Sequence, residues 1–97
     1  MGIKVQIIDA SGIFGTIYDS QIEELARHDN EFDALNFAGK HKPEVILLDF
    51  NVEKENTKFF VSSLLQETPA SRIILVSISL PDEYIINCIF AAIIIYT

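Results

Sequence analysis

Three apolar runs in the sequence stop on a polar residue. Asp9 follows Lys4-Val5-Gln6-Ile7-Ile8, Asp49 follows Val45-Ile46-Leu47-Leu48, and Ser77 follows Ile73-Ile74-Leu75-Val76. Two carboxylates at neighbouring strand ends repel each other unless a cation stands between them, and their hard oxygens suit Mg²⁺. A carboxylate beside such a cation can attack a phosphoryl group, and a hydroxyl within reach can hydrogen-bond the phosphoryl oxygens. The plainer alternative for Asp49 is a turn or N-cap aspartate that closes a strand.

That chemistry requires elements that bring the three residues to one edge. The run 45–48 is continuously apolar, as expected of a parallel strand covered on both faces, and 73–76 reads the same way. Lys4 to Asp9 alternates in polarity and predicts a strand nearer an edge. Ligands in open α/β sheets collect outside the carboxyl ends of the strands, where all three residues would fall.

Between the strands, apolar residues recur at helical spacing. Ile13, Phe14, Ile17, Ile22 and Leu25 predict a first helix ending near Arg27-His28. A shorter one runs from about Glu31 through Phe32, Leu35, Phe37 and Ala38, stopped by Gly39 or ahead of Pro43. After the charged loop Glu53-Lys54-Glu55-Asn56, the stripe Phe59, Phe60, Leu64 and Leu65 predicts a third helix, closed by Thr68-Pro69. Pro81-Asp82-Glu83 starts a fourth that runs to about Ala91, and 93–97 reads as a last, β-branched strand. Phe32, Phe37, Phe59 and Phe60 are core candidates. His28 and His41 fall at polar helix ends with no metal-ligand spacing between them. Alternation of this kind predicts a parallel sheet with right-handed crossovers and helices on both faces.

Composition narrows the class. A chain of 97 residues is one small domain, and 49% apolar residues with a mean hydropathy of +0.30 predict an ordered chain with a large core. A net charge of −7 with only seven Lys and Arg argues against direct nucleic acid contact. The longest apolar stretch, 84–96, is short and carries Asn87, so no membrane span is expected. No basic segment followed by an apolar one marks a secretory signal, and the single cysteine, Cys88, suits a reducing cytoplasmic location.

Over nearly its whole length the chain resembles the receiver domain of two-component response regulators. Pro43-Glu44-Val45-Ile46-Leu47-Leu48-Asp49 is similar to the family's phosphoacceptor strand, and Ile74-Leu75-Val76-Ser77 to the strand that ends on its switch hydroxyl. The resemblance implies a flavodoxin-like, three-layer α/β/α fold with an open parallel sheet of strand order 2-1-3-4-5. It makes Asp49 the phosphoacceptor, Ser77 the switch hydroxyl and Tyr96 the switch aromatic. It assigns Mg²⁺ to Asp9, Asp49 and the backbone carbonyl of Asn51. The implied role is that of a signalling module rather than an enzyme, phosphorylated by a sensor histidine kinase or phosphotransfer protein and coupled to an output domain on a longer chain.

Departures from the pattern carry expectations of their own. Ala10 stands where the family has a second acid, which weakens the metal site; Glu53 or Glu55 could replace it, although solvated loop charges are the simpler reading. Glu53 and Thr57 stand in the places of a loop proline and glycine, and Ile78 in that of a small residue. The sequence stops before the family's lysine and fifth helix, so a domain truncated at its C-terminal end is expected, with a bare face at 93–95 that invites self-association. The interval from Asp9 to Val45 holds two predicted helices and leaves hardly any room for the family's second strand, so the sheet is expected to reduce to 1-3-4-5. Ala10, Ile78 and the missing lysine also support an alternative, a degenerate receiver acting as a phosphorylation-independent interaction or dimerisation module. A small ligand-binding domain is a third reading, opposed by the lack of a glycine-rich loop, since Gly12 and Gly15 are too few to cradle a nucleotide.

Overall fold

The structure is a computed structural model that describes residues 2–9, 12, 14–16, 18–49, 57–77 and 92–95. In chain order these form β1 (Ile3–Ile8), β2 (Ile22–His28), α1 (Glu31–His41), β3 (Val45–Asp49), α2 (Thr57–Glu67), β4 (Arg72–Ser77) and β5 (Ala92–Ile95). All neighbouring strands pair in parallel, in the order β2-β1-β3-β4-β5. Ala10, the acceptor loop with Asn51, Glu53 and Glu55, the fourth helix expected from Pro81, Ile78 and Tyr96 lie outside the described residues.

The second strand is the principal correction. Residues 22–28, predicted as the end of a helix, form β2, and the sheet has its full order rather than 1-3-4-5. A register shift explains the misreading. Val5 faces Glu24 but Gln6 faces Ala26, so Leu25 is an extra residue without a counterpart on β1. Such a bulge breaks the two-residue alternation that marks a strand. It leaves Ile22 and Leu25 three apart, a spacing that imitates a helix turn. Pairing also satisfies an edge of β1 that would otherwise be unpaired, and the ladder is closed at its ends by Ile3 N–H to Gln21 O (2.8 Å) and Asp9 N–H to His28 O (2.7 Å). The first predicted helix is likewise absent among the described residues between β1 and β2, which are turn and irregular backbone.

α1 begins where predicted. The Asn30 side chain accepts a hydrogen bond from Asp33 N–H (2.9 Å), and Glu31 and Asp33 sit at the positive end of the helix dipole, with Lys40 and His41 at the negative end. Gly39 lies inside the helix rather than ending it. A Cβ there would stand 2.8 Å from the Glu67 carboxylate, which is the close approach of α1 to the end of α2. Lys42 caps α1 in the left-handed conformation (φ 51°), its N–H donating to Ala38 O and its Nζ to Glu67 O (2.6 Å). Asn30→Ala is expected to cost about 1 kcal/mol, read as a lower urea midpoint with an unchanged slope.

The core lies between the sheet and these two helices. Ile8, Ile46, Leu48, Ile73 and Leu75 pack against Ala34 and Ala38 of α1 and Phe60, Val61 and Leu64 of α2. Of the four phenylalanines expected there, only Phe60 is fully buried (1% exposed); Phe32 and Phe59 are 74% and 70% exposed. Helix phase decides this. Successive residues turn by 100°, so Phe59 falls beside the Phe60–Leu64 stripe and Phe32 roughly opposite Ala34. Phe37 is half-buried, stacked on His41 (ring centroids 4.3 Å) and tilted against His28 (5.2 Å).

Right-handed crossovers place α1 and α2 on one face and the β1–β2 connection on the other. On that second face Val45, Leu47 and Ile74 are half-buried, whereas their neighbours under the helices are fully covered.

Candidate functional site

Register alone brings the two aspartates together. Ile8 pairs with Leu48, so Asp9 and Asp49 occupy adjacent positions one residue further along, on the face opposite α1 and α2. Asp49 pairs with Val76, which puts the end of β4, Ser77, at the same edge. Asp49 is fully buried and Asp9 nearly so (8% exposed). The expected meeting of Asp9, Asp49 and the Ser77 strand end at one edge is therefore present, while Asn51 and Tyr96 lie outside the described residues.

Asp9 is engaged in a way its position in the sequence does not suggest. Its Oδ1 accepts Gly12 N–H at 2.8 Å and its Oδ2 accepts Phe14 N–H at 3.1 Å. Gly12 (φ 80°) and Gly15 (φ 54°) take left-handed backbone, which lets the chain after β1 curl back on the carboxylate, and Gly15 N–H closes the turn on Gly12 O (3.1 Å). The two glycines thus build a loop around the chain's own carboxylate instead of a nucleotide cradle. Arg27, from β2, reaches the same oxygen: Nη1 stands 3.5 Å from Asp9 Oδ2, and Nη2 donates to Glu24 Oε1 at 2.9 Å. The hydrogen bond to Glu24, opposed in part by burial, together with the attraction of Glu24 and Asp9, raises the pKa of Arg27 and favours its charged form. Arg27 escaped sequence reasoning because it was placed at a helix end. Only the bulged pairing of β2 aligns it with Ile7, two residues from Asp9 on the same strand face.

A second polar cluster lies on the helix side. Gln6, buried in β1, donates from Nε2 to Ala34 O (2.9 Å), with His28 Nδ1 at 3.3 Å. Its Oε1 is buried without a hydrogen-bond partner among the described residues.

Among the described residues, a resident divalent cation fits this edge poorly. Both oxygens of Asp9 already accept backbone N–H bonds and one also faces a guanidinium. Among the described residues, no group of three or more His, Cys, Asp or Glu side chains is placed to hold a metal.

This sheet order, with helices on the β2–β3 and β3–β4 crossovers and acids at the carboxyl edge, is the fold of response-regulator receiver domains. The response regulator domain of Thermotoga maritima CheB superposes with a TM-score of 0.79 at 19% identity, covering 98% of this chain and 78% of that one. A response regulator from Thermotoga maritima gives 0.80 at 20% identity, covering 98% and 84%. A response regulator from Burkholderia pseudomallei with a phosphorylated aspartic acid, calcium ion and citrate gives 0.67 at 18%, covering 89% and 53%. No family model matches the sequence, and no curated protein matches it. Among the described residues no helix is long and apolar enough to cross a membrane.

Proposed function

We propose that this chain is a receiver module of two-component phosphorelay signalling in which Asp49 accepts a phosphoryl group from a sensor histidine kinase or phosphotransfer protein. The observation that supports it best is the position of Asp49. It closes the central strand β3 at the sheet edge, beside Asp9 and the end of β4, in a fold whose solved examples include one with a phosphorylated aspartic acid. In the proposed step a carboxylate oxygen of Asp49 attacks phosphorus and forms an acyl phosphate. The P–N bond to the donor histidine breaks and its electron pair returns to the imidazole nitrogen, which takes a proton from water.

Ser77 would then hydrogen-bond the phosphoryl oxygens, and Tyr96 would follow it and change the surface an output domain reads. In related receivers Mg²⁺ supplies counter-charge, and here it would use Asp9, Asp49 and the Asn51 carbonyl. The contacts of Asp9 weigh against that ion. The module is proposed to work in the cytoplasm as a non-enzymatic component, with a second copy of itself among its partners. Half-buried Val45, Leu47 and Ile74, on the face away from α1 and α2, support that last point.

Intact mass after incubation with acetyl phosphate, with Asp49→Asn alongside, tests the proposal. One added phosphoryl group in the parent protein and none in the variant is the expected result. Label retained by the variant rejects Asp49 as the acceptor. No addition to a folded parent protein favours the second reading, a phosphorylation-independent interaction module, which the engagement of both Asp9 oxygens already supports.

A further inference from the structure

We infer that Arg27 takes the place of a divalent cation in the acidic pocket, so that the pocket's counter-charge is built into strand β2 and the site is insensitive to Mg²⁺. The inference deepens the receiver reading but stands on the geometry of Asp9, whether or not Asp49 takes phosphate.

The Asp9 side chain is only 1% exposed, and a carboxylate so enclosed must be compensated by hydrogen bonds and opposite charge. Among the described residues, donors that meet that need include the N–H groups of Gly12 and Phe14 and the guanidinium of Arg27. The arginine is held for the purpose. Glu24 lies on the same strand, and its two oxygens take Nε (3.4 Å) and Nη2 (2.9 Å), leaving Nη1 directed at Asp9. The planar fork of arginine suits such a two-sided role, which a lysine ammonium would fill only as a point charge.

A metal ion on Asp9 would meet two obstacles. It would compete with the backbone donors for the carboxylate lone pairs, and it would stand within a few ångströms of the positive charge of Arg27, beside a carboxylate that is itself shielded from water. Ala10 removes a carboxylate that could have offset that repulsion. The bulge in β2 is part of the device. It shifts the register so that Glu24 and Arg27, three apart in sequence, both face the Asp9 side of the sheet. An unbroken strand would send one of them to the opposite face.

The test measures Mg²⁺ itself. Thermal unfolding of the parent protein in 10 mM MgCl₂ is expected to match that in NaCl of equal ionic strength, and calorimetric titration is expected to show no saturable binding. Arg27→Gln, which removes the charge and keeps a polar side chain, is expected to gain a Mg²⁺-dependent rise in melting temperature of a few degrees. Arg27→Lys, which keeps the charge, is expected to stay insensitive. Saturable millimolar or tighter Mg²⁺ binding by the parent protein overturns the inference even if the glutamine variant fails to fold. A folded Arg27→Gln that gains no Mg²⁺ response overturns it too. These outcomes are independent of acetyl phosphate labelling, so failure of the phosphoacceptor proposal is read separately.

Discussion

Phe60→Ala is expected to destabilise the domain by about 3–5 kcal/mol, moving the urea midpoint down by about 2–3 M. The residue is 1% exposed and stands among Val61, Leu64 and the strand residues Ile46, Leu48, Ile73 and Leu75 in the layer between the sheet and α1 and α2. Removing the ring leaves a cavity that neighbours on a hydrogen-bonded sheet cannot collapse to fill. A domain of this length holds only about 5–15 kcal/mol in total, so the loss takes a large fraction of its stability. Phe59→Ala supplies the contrast. The adjacent ring is 70% exposed, and its loss is expected to change stability by no more than about 0.5 kcal/mol. Circular dichroism in urea, run on both variants, reads the difference directly. Equal costs would mean that α2 is rotated from the orientation described.

That pair of residues also shows where the sequence was readable and where it was not. The apolar runs closing on Asp9, Asp49 and Ser77 gave three strands and their common edge because a buried parallel strand has little freedom in composition. α1 was legible from the helical spacing of Phe32, Leu35, Phe37 and Ala38 and from Pro43 beyond its end. The stripe that located α2 did not fix its rotation, since four apolar residues at 59, 60, 64 and 65 span more of the helix circumference than the core accepts. β2 was lost for a related reason. A bulge erased the period of two, and what pulls 22–28 into a strand is the unpaired edge of β1, distant in sequence and invisible to local pattern. Arg27 was lost with it, because its relation to Asp9 exists only after the two strands pair. Gly12 and Gly15 were read as too few for a nucleotide cradle, but nothing local showed that their backbone freedom serves the Asp9 carboxylate.

The role of Asp9 can be decided by the sign of a stability change. Two buried carboxylates side by side repel, so if Asp9 served chiefly as a metal ligand, replacing it with alanine in EDTA would relieve that repulsion and stabilise the protein. The contacts found here predict the reverse. Asp9 Oδ1 and Oδ2 accept N–H groups from Gly12 and Phe14, and Oδ2 faces Arg27, so alanine leaves two loop amides without their acceptor and a guanidinium without one of its two carboxylates. Hydrogen bonds to a charged acceptor contribute about 1.5–3 kcal/mol each, and the loop can recover part of that from water. Asp9→Ala is therefore expected to destabilise by about 2–4 kcal/mol in metal-free buffer, with faster hydrogen exchange at the amides of Gly12 and Phe14. Asp9→Asn keeps one acceptor oxygen but turns an amide NH₂ toward Phe14 N–H or Gly12 N–H, and is expected to fall between the parent protein and the alanine variant. A stabilised Asp9→Ala would show that repulsion from Asp49 outweighs the loop and Arg27 together. The pocket would then be strained without an external cation.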